Sequence, residues 1–196
     1  MAKLIAITGG IGCGKSIISQ ILTTLGYEVY DCDTNAKLLM NQNQGIKNIL
    51  KSHFGNNVIS EQGEIDRKYL ADIVFNNKEK LKKLDQIVHP FVIEDVLNWK
   101  NIHDKYSIIF IETAILYQSG LDKIVDEVWN VQSPLETQIM RVINRNNISR
   151  DEVISRIESQ KHQIKHHTNT RTIINDGVKP ILPIILSILW QNASKN

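Results

Sequence analysis

Gly9, Gly14, Lys15 and Ser16 stand at the spacing G-x-x-x-x-G-K-[ST], in the run Gly9-Gly10-Ile11-Gly12-Cys13-Gly14-Lys15-Ser16. The chemistry of that pattern is anion binding. Glycines let the backbone curl until successive N–H groups converge on phosphate oxygens, and the helix that follows aims its partially positive N-terminus at the same charge. Lys15 then reaches the β- and γ-phosphates, and the Ser16 hydroxyl is offered to Mg²⁺. The run lies between an apolar stretch, Leu4 to Ile7, and a helix-like one, Ile17 to Leu25, which is the strand-loop-helix context a phosphate loop requires. A nucleoside triphosphate is the expected ligand.

Transfer of a phosphoryl group needs an acceptor held in line, cations around the equatorial oxygens and a base or orienter for the acceptor. Asp31 and Asp33 follow a short apolar run ending at Tyr30. Extended backbone there aims both carboxylates to one side. Asp33 is the candidate base, and the alternative is that both acids only cap the next helix. Glu112 closes the run Ile108 to Ile111, where an acid holds Mg²⁺ through water or, as often, caps a helix. Between Pro134 and His167 the basic residues Arg141, Arg145, Arg150, Arg156, Lys161 and Lys165 outnumber the acidic ones, Asp151, Glu152 and Glu158 together with Glu136. Arg141 and Arg145 are four apart and share a helical face. Two readings stand: a solvated hairpin, or a mobile arginine-bearing lid over the triphosphate. The histidines make no convincing metal set, since His162, His166 and His167 lack partner ligands at suitable spacing.

The elements that must position these groups alternate. Strand patterns at Leu4–Ile7, Glu28–Tyr30, Ile108–Glu112, Glu127–Val131 and Thr172–Ile174 are separated by helical ones, which predicts an α/β fold with a doubly wound parallel sheet. Ligands bind beyond the carboxyl ends of such strands. Residues 34–101 break the alternation. Leu70, Ile73, Val74, Leu81, Leu84, Ile87 and Val88 recur at helical spacing, predicting an inserted helical subdomain in which His89-Pro90 marks a bend or a new helix start. The apolar segment Ile181 to Trp190 is too short to span a bilayer and reads as a terminal helix buried on nearly all sides.

With 23 basic and 21 acidic residues the net charge is only +2, so no basic excess advertises a nucleic-acid or membrane partner. Met1-Ala2-Lys3 runs straight into the first strand, leaving no room for an export signal, and Cys13 and Cys32 read as reduced thiols of a cytoplasmic protein. Cys13 sits at a helix N-terminus, a setting that can acidify a thiol, but the role expected of it is to lend a backbone N–H. Nothing in the pattern requires an oligomer.

Beyond the phosphate loop, further motifs resemble the dephospho-coenzyme A kinase family and keep its order. Ile7-Thr8 through Ser16 is similar to the family's L-T-G-G-I-G-S-G-K-[ST], and Tyr30-Asp31-Cys32-Asp33 to its D-A-D element. Gly63-Glu64-Ile65-Asp66-Arg67, with Leu70 and Val74-Phe75, resembles G-x-[LI]-[DN]-R-x-x-L-x-x-x-V-F, and His89-Pro90 follows at the family's distance. Pro134 to Arg141 is similar to P-x-x-x-Q-x-x-R, Arg145 and Arg156-Ile157-Glu158-Ser159-Gln160 continue the lid pattern, and Ile174-Asn175-Asp176-Gly177 resembles the closing N-x-G element near the adenine. The resemblance implies one P-loop kinase domain over 1–196, with 34–101 binding the acceptor and 134–167 forming the lid. It implies ATP-dependent phosphorylation of the ribose 3′-hydroxyl of dephospho-CoA, the last step of coenzyme A biosynthesis. On this reading Asp33, Lys15 and Arg141 are expected to take catalytic roles. Gly10, Ile11, Gly12, Cys13, Gly14, Lys15, Ser16, Ile17, Arg145 and Asn175 are expected to bind ATP, Thr8, Asp33, Arg67 and His89 to bind the acceptor, and Ser16 and Glu112 to hold Mg²⁺.

The family's D-x-P-L-L-F-E-S-G appears as Glu112-Thr113-Ala114-Ile115-Leu116-Tyr117-Gln118-Ser119-Gly120. Its acid is one methylene longer, its proline is alanine and its glutamate an amide. Ile17 stands for a frequent threonine, and Cys13 for a serine. The rival readings are another small-molecule or nucleoside monophosphate kinase on the same core, and a nucleotide-operated switch.

Overall fold

The structure, a computed structural model, describes residues 1–75, 77–161 and 167–193, with only the backbone of Phe75, Lys161 and Ala193. His162, Lys165 and His166 therefore lie outside the described residues, as does part of the expected lid. The chain divides into two compact units, Met1–Tyr30 with His103–Asn196, and Asp31–Ile102.

The first unit is built on strands β1 (Lys3–Thr8), β2 (Val29–Asp31), β3 (Ile108–Glu112), β4 (Glu127–Gln132) and β5 (Thr170–Ile174). Their order is β2-β3-β1-β4-β5. β1 pairs in parallel with β3 and β4, and β4 with β5. Every β1 residue from Leu4 to Thr8 is buried, as expected of a central parallel strand covered on both faces. One face carries Ile5, Ile7, Phe110, Trp129 and Ile173, packed beneath helix α1 (Lys15–Thr24) through Ile18 and Leu22 and beneath the C-terminal helix through Ile185 and Leu189. Trp129 is fully buried and edge-on to Phe110, with ring centroids 5.0 Å apart. Its indole N–H needs a partner there, and donates to Glu127 at 2.9 Å.

Glu127 is itself buried at the start of β4. Lys3 donates to it at 2.6 Å and Arg171 at 2.7 Å, so three strands converge on one carboxylate. Burial alone would push its pKa up. The bonds from Lys3, Trp129 and Arg171, with the Lys3 charge, outweigh that and hold it below the ordinary carboxylate value.

The second unit is helical: α2 (Cys32–Gln42), α3 (Gln44–Phe54), α4 (Arg67–Phe75) and α5 (Lys78–Ile102). Its core is Ile46, Leu50, Phe54, Val58, Ile65, Leu70, Val74 and Ile87. Side-chain caps set its boundaries. Asn43 accepts from the Ile46 N–H at 3.1 Å, and Asp66 from the Tyr69 N–H at 2.9 Å. Of the two sequence readings of His89-Pro90, a bend or a new helix start, the structure overturns the new start: α5 runs through Pro90 without ending. Ile87 and Val88 before the proline, and Val92 and Val96 after it, are buried, so tertiary packing holds the helix across the missing N–H.

Back in the first unit follow α6 (Leu116–Ser119), α7 (Leu135–Asn146), α8 (Arg150–Lys161) and α9 (Ile181–Ala193). Asn147 closes α7 in the left-handed conformation. Ser149 and Glu152 open α8 as a reciprocal capping box: Ser149 N–H donates to the Glu152 carboxylate at 3.1 Å, and Glu152 N–H to the Ser149 hydroxyl at 3.3 Å. α9 departs from its expected all-round burial. Leu182 and Leu186 are nearly half exposed and Trp190 more so, because this last element packs on the sheet through one stripe only. Among the described residues no helix is long and apolar enough to cross a membrane.

Candidate active site

The loop after β1 is shaped by what surrounds it. Gly9 has φ +148°, and a Cβ there would meet the Val131 carbonyl oxygen of β4 at 2.2 Å. Gly12 has φ +76°, and its Cβ would lie 2.6 Å from the Gln138 carbonyl oxygen of α7. Neither obstacle is a flexible side chain, so only glycine lets the loop pass between β4 and α7. α1 then starts at Gly14 with no side-chain cap and no acidic residue in its first turn. A helix start of this kind turns its N–H groups and partial positive charge toward an anion.

Lys15 donates to the carbonyls of Gly9 and Gly10 at 3.0 and 3.3 Å, which holds the ammonium across the loop. Ser16 is exposed on the first turn of α1. Glu112 is the register partner of Ile7, one residue before Thr8, so β3 carries its acid to the strand end beside the phosphate loop. Cys13 is buried, and burial pushes its thiol pKa up against the opposing pull of Lys15, Arg141 and nearby N–H groups. At this helix N-terminus desolvation outweighs the neighbouring charges, so the setting does not acidify the thiol.

Arg141 is the hub on the far side. One guanidinium nitrogen donates to the carbonyls of Gly12 and Cys13 at 3.3 and 3.4 Å, to the Ser133 hydroxyl at 3.2 Å and to the Asn175 carbonyl at 3.3 Å. The other reaches the Asn175 side-chain oxygen at 3.2 Å. Asn175 is buried after β5 and donates to the Cys13 carbonyl at 3.1 Å. Sequence spacing indicated a cationic helix face, and the remaining arginines are deployed otherwise. Arg145 is exposed and donates to Asn146 at 3.0 Å. Arg150 makes a two-pronged pair with Glu136 at 2.9 and 2.6 Å, joining α7 to α8.

Two cavities flank the loop. One, of about 430 Å³, is lined by Gly14, Ser16, Ile17, Arg141, Asn175 and the segment Gly177 to Ile181. Ile17 makes its wall apolar where a hydroxyl is frequent. The other, of about 440 Å³, runs from Thr8, Gly9 and Gly10 past Tyr117 and Gln118 to Gln138, Ile157 and Gln160. Among its described lining residues none is charged, so the substitution at Gln118 leaves that wall neutral.

The structure thus brings Thr8, the loop from Gly10 to Ile17, Glu112, Arg141 and Asn175 together in the first unit. Asp33, Arg67 and His89 belong to the second. There Asp31 and Asp33 are not both on extended backbone. Asp31 caps α2, accepting from the N–H groups of Asp33 and Thr34 at 3.0 and 3.1 Å, and Asp33 lies within the first helical turn. The cap reading holds for Asp31. Arg67 opens α4 and is exposed. His89 lies 3.7 Å from Asp85 one turn earlier, and burial keeps its pKa below the usual imidazole value in spite of that carboxylate. Among the described residues no three His, Cys, Asp or Glu side chains cluster as a metal cage. Sequence reasoning gave no individual part to Ser133, whose hydroxyl accepts from Arg141, or to Gln138, whose amide donates to the Ser133 carbonyl. The P-x-x-x-Q-x-x-R spacing holds the signal for Gln138.

A protein of Carboxydothermus hydrogenoformans named dephospho-CoA kinase is 37% identical, with 98% of this chain and 97% of that one covered. One of Staphylococcus haemolyticus with the same name is 39% identical over 82% of this chain and 80% of the relative. Among solved structures, a dephospho-CoA kinase from Campylobacter jejuni superposes with a TM-score of 0.72 at 25% identity over the full length of both chains. The protein TT1252 from Thermus thermophilus gives 0.80 at 29% identity, covering 97% of each. The family model described as dephospho-CoA kinase matches residues 3–179, which includes the phosphate loop, Glu112, Arg141 and Asn175, and the chain belongs to that family.

Proposed function

We propose that this protein transfers the γ-phosphoryl group of ATP to the ribose 3′-hydroxyl of dephospho-CoA, giving coenzyme A and ADP. The observation that carries the reading is the uncapped N-terminus of α1 behind a glycine loop, with Lys15 held across that loop and Arg141 locked to its carbonyl side. This is the equipment for holding a triphosphate and neutralising charge as it moves. The cavity lined by Ile17, Asn175 and Gly177 takes the nucleoside, and the uncharged one beside Thr8 and Gly10 takes organic parts of the acceptor.

Lys15 exchanges its loop carbonyls for phosphate oxygens. Arg141 anchors the loop and presents its charge to the transferring group. Asp33 orients the acceptor hydroxyl and takes its proton, with Arg67 and His89 as further acceptor contacts from the same unit. His89 enters as a neutral imidazole. Ser16 and Glu112 are hard oxygen donors of the kind Mg²⁺ takes, one or two protein groups alongside substrate phosphates. When bound, the ion neutralises charge on the β- and γ-oxygens.

The deciding experiment supplies purified protein with ATP and Mg²⁺ and a panel of acceptors: dephospho-CoA, nucleoside monophosphates and simple alcohols. Coenzyme A, identified by mass and by its 3′-phosphate, is the expected product. Phosphorylation of another acceptor with none on dephospho-CoA would overturn the reading, and ATP binding without acceptor-dependent turnover would favour a switch.

A further inference from the structure

The tip of the phosphate loop is already engaged by a side chain. The Ile11 N–H donates to the Gln160 side-chain oxygen at 2.8 Å, from the end of α8. A second carboxamide is close by: a Cβ built on Gly10 would lie 3.6 Å from the side-chain oxygens of both Gln138 and Gln160. Gln138 donates its amide N–H to the Ser133 carbonyl at 2.7 Å, which fixes its orientation. The Ile11 side chain packs against Ile139, Val142, Val153 and Ile157, the apolar seam between α7 and α8. Backbone and side chain of one loop residue are therefore both held by the same helical pair.

A carboxamide oxygen on an N–H of an anion-binding loop stands where a phosphate oxygen is a better acceptor, because a charged acceptor makes the stronger hydrogen bond. We propose that Gln160 is a positioning residue that holds the Ile11 N–H of the resting loop and yields it to a phosphate oxygen of the bound nucleotide, so that α8 and nucleotide compete for the loop tip. Nucleotide then detaches the end of α8 from the loop. Conversely, whatever fixes α8 on the loop weakens nucleotide binding by the same factor, since coupling between two binding events is reciprocal. The proposal rests on the loop binding a nucleotide and not on the identity of the acceptor.

The probe is the β,γ-methylene analogue of ATP, with no acceptor present. In the wild-type protein, NMR resonances of the Ile11 backbone amide and the Gln160 side-chain amide are expected to shift together through one titration. By calorimetry, Gln160→Ala removes the competitor and is expected to tighten binding at least twofold and up to about tenfold, the worth of one neutral hydrogen bond. Gln160→Glu puts a full charge on the same N–H and is expected to weaken binding about tenfold or more. Alanine-variant affinity that rises less than twofold, or falls, overturns the proposal. So does a Gln160 resonance that stays still while Ile11 moves, a result that needs no variant to fold. A wrong acceptor assignment leaves all these measurements untouched.

Discussion

Arg141 and Asn175 grip each other through two bonds, guanidinium to side-chain oxygen at 3.2 Å and guanidinium to backbone carbonyl at 3.3 Å, and both hold the Cys13 carbonyl. α7, the end of β5 and the phosphate loop meet at that contact. Arg141→Ala therefore removes a cation and unties the loop together. We expect turnover with ATP and dephospho-CoA to fall by about 10³-fold, as for a transition-state arginine. Arg141→Lys recovers little, since an ammonium cannot span the same fork of acceptors. A loss under threefold would refute both roles.

Lys15→Ala keeps the loop's glycines and removes the charge together with its two bonds to the Gly9 and Gly10 carbonyls. Turnover is expected to drop about 10²- to 10³-fold, the usual scale for deleting one electrostatic stabiliser. Steady-state kinetics at saturating ATP separate this from weakened binding, and a normal kcat there would count against Lys15.

Gly12→Ala tests the close approach of loop and α7. Its Cβ would meet the Gln138 carbonyl oxygen at 2.6 Å at a φ of +76°. A destabilisation of about 1–3 kcal/mol is expected from strain at such a site, together with loss of nucleotide affinity. Thermal melts with and without ATP would show it as a lower Tm and a smaller ligand-induced rise. An unchanged Tm would mean the loop has room that the structure denies.

Asp33→Asn keeps the side-chain shape in the first turn of α2 and removes the negative charge. ATP affinity should stay within about twofold while phosphoryl transfer falls about 10²- to 10⁴-fold, the range for a positioned base. Normal turnover would leave Asp33 as a helix residue only.

The acid limb of stability should depend on Glu127. Its pKa is depressed in the fold below the reference 4.5. The unfolded chain therefore takes up the proton first as pH falls, so the stabilisation is complete above about pH 4.5 and is lost as pH drops through the folded value. Glu127→Gln should cost about 1.5–3 kcal/mol at neutral pH, the worth of a hydrogen bond to a charged group. The gap in Tm between variant and wild type should narrow as pH falls below the reference 4.5. A gap that persists unchanged to pH 3 would show that the carboxylate charge is not what Lys3 and Arg171 hold.

Much of the fold was legible because its signals are short-range. Ile108–Glu112 is a strand as its apolar run indicates, and the run Glu127–Val131 likewise falls within β4. At Pro90 distant packing overrode a local rule, since buried valines on both sides hold α5 together. At Asp31 a local rule decided between two open readings, since the carboxylate caps α2 and leaves Asp33 inside its first turn. Cys13 follows the logic of Pro90, since a helix terminus is a local feature and burial is not.

The sequence by itself determined the phosphate loop, since eight contiguous residues carry both its backbone freedom and its cation. It also determined the alternation of strand and helix that a parallel sheet needs. Only the tertiary structure decided that Arg141 binds loop carbonyls, that Glu127 gathers Lys3 and Arg171, and that Gln160 reaches Ile11 from 149 positions away. Such partners are chosen by the strand order β2-β3-β1-β4-β5 and by which face each helix buries. Side-chain periodicity fixes the buried face of an element, but not which distant element will cover it.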